Sequence, residues 1–94
     1  MERSNFIFSC VAMKDEKGYS ALCLDVDVAS EGGSLPEAKR NLREAVSLYV
    51  ESAIENNLPI IRPVPPAERP HITRLEDTIE QFNLNVDVRV RAHV

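Results

Sequence analysis

Ser34-Leu35-Pro36-Glu37-Ala38-Lys39-Arg40-Asn41-Leu42-Arg43-Glu44-Ala45-Val46-Ser47-Leu48-Tyr49-Val50-Glu51-Ser52-Ala53-Ile54 is the stretch on which the fold class turns. Leu35, Ala38, Leu42, Ala45, Val46, Tyr49, Ala53 and Ile54 recur at three- and four-residue spacing, the stripe of an amphipathic helix. Ser34 and Glu37 have the S-x-x-E spacing of a capping box. Pro36 falls in the first turn, where its missing N–H costs nothing. Asn56-Asn57 and then Pro59 stop the helix. Lys39, Arg40, Arg43, Ser47, Glu51 and Glu55 occupy the opposite face, and Arg40 and Glu44 are spaced for an ion pair.

Upstream the pattern changes from helical to extended. Residues 6–13 (FIFSCVAM) and 19–24 (YSALCL) are β-branched and aromatic enough to be strands, joined by a polar turn that ends on Gly18. Pairing Lys14 with Tyr19 sets Cys10 opposite Cys23. Phe6, Phe8, Cys10 and Ala12 then share a face with Tyr19, Ala21 and Cys23. Small residues at 21 and 23 let the helix lie close on that face. Ile7, Val11, Met13, Leu22 and Leu24 form a second apolar face, expected to be covered by a dimer mate, the proline-containing tail or a partner. A third short strand is expected over 25–31, ended by Gly32-Gly33.

Downstream, residues 59–70 contain five of the six prolines and form a connector. Ile72, Leu75, Ile79 and Phe82 have helical spacing, so the sequence suggests a short helix over 73–81, with a strand as the alternative. From Leu84 to Val94 apolar and polar residues alternate strictly, the pattern of a strand with one dry and one wet face. The organisation is therefore a β-β-β-α unit over 1–58, a connector over 59–70, and a tail over 71–94 whose strand joins the sheet of its own or a neighbouring protomer. The fold class is α+β.

Composition narrows the function. Eleven Lys and Arg stand against 15 Asp and Glu, a net charge of −4, which disfavours a nucleic-acid footprint and suits a basic protein partner. Residues 1–59 carry 6 basic and 10 acidic side chains, and residues 60–94 carry 5 of each, so all the excess negative charge belongs to the hairpin and helix. No apolar run approaches the roughly 18 residues of a membrane span, and residues 6–13 lack the flanks of a signal peptide, so the expected location is the cytoplasm. Cys10 and Cys23 are read as small strand hydrophobes. Neither His71 nor His93 is spaced to serve them. Gly32-Gly33 is a turn and not a phosphate loop. A ribbon-helix-helix DNA reader needs two helices after its strand, so DNA reading by the C-terminal strand of this chain alone is not expected. No metal, cofactor or catalytic set is expected. Asp25, Asp27 and Glu31, with the turn residues Asp15 and Glu16, are the candidate partner contacts, chosen on charge.

Three segments in order carry a resemblance: Lys17-Gly18-Tyr19-Ser20-Ala21-Leu22-Cys23, then Val28-Ala29-Ser30-Glu31-Gly32-Gly33-Ser34-Leu35-Pro36-Glu37-Ala38, then Asn41-Leu42-Arg43-Glu44-Ala45-Val46-Ser47-Leu48-Tyr49-Val50-Glu51. They resemble the G-Y-x-A-x-C hairpin, the capped helix start and the N-L-x-E-A-x-x-x-Y helix body of the HicB-like antitoxin family, over about residues 5–58. The resemblance implies a partial RNase H-like fold. It also implies a role as antitoxin, binding and masking a small basic HicA-like ribonuclease toxin that cuts mRNA. Leu24 stands where the family often has proline. An RNase H site needs a carboxylate on its first strand, and residues 6–13 have none, so nuclease activity is not implied. The alternative is an orphan homo-oligomeric domain, a homodimer or tetramer, that binds another protein or a small ligand.

Overall fold

The computed structural model describes residues 2–69 and 77–90. Four strands and one long helix make an α+β fold: β1 (Glu2–Asp15), β2 (Gly18–Cys23), β3 (Val28–Gly32), α1 (Leu35–Glu55) and β4 (Thr78–Val90). The sheet is antiparallel throughout, in the order β3-β2-β1-β4.

The hairpin register is the expected one: Lys14 pairs with Tyr19 and Cys10 with Cys23. The loop is two residues long, and neither Glu16 nor Lys17 takes a positive φ; Gly18 does, at 142°. A Cβ at Gly18 would lie 2.9 Å from the Gly32 carbonyl oxygen, so this turn excludes a side chain.

Helix α1 begins as its sequence dictates. The Ser34 hydroxyl accepts from the Glu37 N–H, and the helix lays Ala38, Leu42, Val46, Val50 and Ala53 on the sheet, all buried. Ala38, Leu42, Val46 and Val50 pack on Phe8, Cys10, Ala21, Cys23, Leu84, Val86 and Val88. Gly32 lets helix and strand meet: a Cβ there would stand 2.6 Å from the Ala38 nitrogen, whereas one on Gly33 would meet nothing within 4 Å. Arg40 and Glu44 do not pair. Instead Lys39 bridges to Glu80 and lies 4.6 Å from the Phe82 ring centre, and Arg43 donates to the Asn85 carbonyl, tying the helix to β4.

Two expectations fail for definite reasons. The third strand starts at Val28, not Asp25, because residues 24–27 are a turn. Leu24 and Val26 are both buried, but in opposite clusters, so the apolar–acidic alternation that imitates a strand here is chain reversal. Second, Thr78–Gln81 are strand, while residues 73–76 of the suggested helix lie outside the described residues. The register shifts between Ala12 and Met13, which pair with Glu80 and Thr78, leaving Ile79 as the extra residue of a bulge. That insertion puts Ile79 and Phe82 three apart and mimics a helical period. Beyond it the alternation holds: Leu84, Val86 and Val88 are buried, and Gln81, Asn83, Asn85 and Asp87 are exposed. β4 pairs with β1 of its own chain; residues 91–94 of the expected strand lie outside the described residues.

Candidate functional site

The five candidate acidic residues separate into two groups at opposite ends of β2 and β3. At one end Asp15 closes the hairpin, and its Oδ1 accepts from the N–H groups of Lys17 and Gly18 at 2.8 and 3.1 Å. Glu16 is exposed beside it. Glu31, also exposed, pairs through its backbone with Ser20, and its carbonyl accepts from the Asn41 side chain. Asp15, Lys17, Tyr19 and Glu31 line an open cleft of about 290 Å³ there. The amine of Lys14 stands 5.4 Å from the Tyr19 ring centre.

Asp25 and Asp27 sit in the 24–27 turn and not in the strand expected over 25–31. Glu31 lies three strand steps beyond Val28, so the two acidic groups stand roughly 10 Å or more apart. Asp25 is half-buried and occupied: its Oδ2 accepts from the Ser9 N–H at 2.7 Å, while the Ser9 carbonyl accepts from Leu24 N–H at 2.8 Å. Asp27 is exposed and has φ of 53°, a left-handed conformation that Asp tolerates better than most residues. The charge free to meet a partner is therefore on Glu16, Glu31 and Asp27.

Of the three covers expected for the second sheet face, a dimer mate, the proline-containing tail or a partner, the proline-containing segment supplies part. Residues 59–69 run back across that face as a strap. Arg62 N–H donates to the Asp25 carbonyl and Val64 N–H to the Leu24 carbonyl, each at 2.8 Å. Val64 closes a small cluster with Val11 and Leu24, all three at most 4% exposed, with Leu22 packed against them. Val11 and Leu24 are thus buried within the chain, and Met13 and Leu22 are half-buried. Ile7 alone of the five stays open, at 69%. The strap is pinned at its start, where Tyr49 donates to the Pro59 carbonyl and the Arg62 guanidinium lies 5.3 Å from the Tyr49 ring centre. Farther along, Arg69 Nε donates to the Val64 carbonyl. A signal for this was present in Arg62-Pro63-Val64-Pro65: prolines at alternate positions leave donors only at 62 and 64, the i, i+2 spacing of an edge ladder.

Beneath the turn lie the two cysteines, both reduced and almost wholly buried. The Cys10 thiol is pushed well above its ordinary range, first by its hydrogen bond with Cys23 and then by burial. Cys23 is drawn down, first as the acceptor of that bond and then by the N–H groups of Asp25 and Val26, against the opposing effect of burial. Among the described residues no three His, Cys, Asp or Glu side chains converge to hold a metal, and no helix is long and apolar enough to cross a membrane. His71 and His93 lie outside the described residues. No protein family, curated protein or solved structure matches the chain.

Proposed function

We propose that this chain is a HicB-like antitoxin with a partial RNase H-like fold, which binds and masks a small basic mRNA-cleaving toxin. The observation that carries the reading is the run of three family-like segments between Lys17 and Glu51. Each falls on a matching element: the G-Y-x-A-x-C segment on β2, the capped segment on β3 and the start of α1, and the N-L-x-E-A segment on the body of α1. Charge supports it further. The excess negative charge lies within residues 1–59, and its exposed carriers include Glu16, Glu31 and Asp27, positions from which long-range attraction steers a basic partner. Masking is steric and needs no catalytic group on this chain.

The test is co-expression with a small basic HicA-like ribonuclease encoded beside it. Growth arrest by the ribonuclease should be relieved, the two chains should copurify, and mRNA cleavage by the purified ribonuclease should stop when this chain is added. Cleavage that continues at saturating concentrations of this chain overturns the reading.

A further inference from the structure

The sheet has two outer strands, β3 and β4, and their free edges differ. β3 is five residues long, and its Glu31 carbonyl accepts from the Asn41 side chain. β4 is 13 residues long and pairs with β1 on one side. Two hydrogen bonds fix the direction of its backbone groups. Arg43 donates to the Asn85 carbonyl, so residue 85 faces away from β1, and every second residue of an antiparallel strand does the same. Leu24 N–H donates to the Ser9 carbonyl, so odd residues of β1 face β2, and Phe6 and Phe8 face Val86 and Leu84 of β4. Both bonds place the N–H and C=O groups of Gln81, Asn83 and Asn85 on the open edge. Among the described residues, the Asn85 carbonyl alone of these groups has a partner.

Long edges are normally guarded by lysine, proline or a bulge. Residues 81–88 (QFNLNVDV) contain no lysine, proline or glycine and a single charge, on Asp87. The bulge at Ile79 lies before them. Gln81, Asn83 and Asn85 are exposed neutral amides. A β-rich segment with little charge and no proline is of the kind that pairs with copies of itself. An open cleft of about 350 Å³ beside the edge, lined by Asn5, Arg43, Ser47, Asn85, Val86 and Asp87, leaves it accessible. Charge selects the occupant. The excess negative charge lies within residues 1–59, and residues 60–94 are balanced. A basic partner is drawn toward Glu16, Asp27 and Glu31, on the β2–β3 side of the sheet and away from β4. Two acidic copies repel least where each is neutral.

We propose that the β4 edge is a homodimer interface, at which β4 of a second copy adds antiparallel to β4 and joins the two sheets into one. Antiparallel pairing of identical strands closes with two-fold symmetry. With Asn83 opposite the second copy's Asn85, Gln81 meets Asp87 and no carboxylate faces another. Each such pair exchanges two main-chain hydrogen bonds. Arg43 has to leave the Asn85 carbonyl first, so it guards the edge and sets how readily copies pair. The surface is distinct from the exposed acidic residues, so the dimer forms whatever the chain's other partner is.

The experiment follows the full chain by analytical sedimentation and amide hydrogen exchange, from about 10 μM to about 1 mM. A concentration-dependent dimer is expected. In it the N–H groups of Gln81, Asn83 and Asn85 should be at least about tenfold better protected, while those of Leu84 and Val86, already bonded to β1, stay as they were. Asn83→Pro deletes an outward donor and no bond to β1, and Asn83→Lys adds charge to the edge; each should raise the dissociation constant at least about tenfold. Arg43→Ala frees the Asn85 carbonyl and should lower it about threefold or more. Circular dichroism confirms that each variant is folded. The proposal is overturned if the wild-type chain stays monomeric at about 1 mM. It is equally overturned by a dimer without added protection at residues 81, 83 and 85, by one indifferent to Asn83→Lys in a folded chain, or by one that Arg43→Ala fails to strengthen. The wild-type exchange pattern decides the matter even where a variant does not fold.

Discussion

The Val64 N–H donates to the Leu24 carbonyl at 2.8 Å, and the two side chains close over Val11 on the sheet face opposite the helix. The turn that follows β2 and a proline-rich segment forty residues farther along the chain are thereby joined. One helix cannot cover both faces of a sheet, and here a proline-rich strap, irregular but for a 3-10 turn over Pro66–Glu68, covers part of the second. Val64→Ala should cost about 1–3 kcal/mol, the range for trimming a buried aliphatic side chain. Urea unfolding reads the loss, and hydrogen exchange should show weaker protection at residues 62 and 64 than in β1.

Gly32 and Gly33 are adjacent and should respond in opposite ways. A methyl at Gly32 meets the Ala38 nitrogen at 2.6 Å, backbone against backbone, with no flexible atom to give way. Gly32→Ala should destabilise by about 1–3 kcal/mol or more, as overpacking does. Gly33→Ala meets open space and should stay within about 0.5 kcal/mol of wild type. Thermal melts of the two variants side by side decide this; equal losses contradict it.

Ser34 supplies the side-chain acceptor at the start of α1. Ser34→Ala should lower stability by about 1 kcal/mol, and Ser34→Asp should retain most of it, because either oxygen satisfies the Glu37 N–H. Chemical denaturation of both variants checks the pair.

The acidic residues should divide by what their carboxylates already hold. Asp25 accepts the Ser9 N–H. Asp25→Ala removes that bond in an exposed setting, where water can take the carboxylate's place, and should cost about 0.5–1.5 kcal/mol whether or not a partner is present. Asp27→Asn, Glu16→Gln and Glu31→Gln leave the melting temperature nearly unchanged. Each should slow association with a basic partner, with the effect fading as salt rises, since exposed charge acts mainly on the rate of encounter. Stopped-flow association at two ionic strengths separates the two behaviours. A salt-independent rate for all three variants argues against charge steering.

Much of the fold is local, and local features can be read from residue order. The Ser34 cap, the buried stripe of α1, the Cys10–Cys23 register and the Leu84, Val86 and Val88 alternation each depend on contacts within a turn, a ladder or a helical repeat. The misreadings occur where an alternating or three-residue pattern has a second explanation. Leu24, Val26 and Val28 alternate with acids like a strand, but a left-handed Asp27 reverses the chain among them. Ile79 and Phe82 are spaced like a helix because a bulge inserts a residue.

The candidate contacts show the same division. The types and charges of Asp15, Glu16, Asp25, Asp27 and Glu31 are plain in the chain, as are the apolar faces of the hairpin. Which of those carboxylates remain free depends on Ser9, Lys17 and Gly18 presenting N–H groups to Asp25 and Asp15. Which apolar residues stay open depends on Val64 returning from some forty residues beyond Leu24. Periodicity and capping are written in neighbouring residues, whereas burial and hydrogen-bond occupancy belong to pairs distant in sequence, and only the folded chain brings those pairs together.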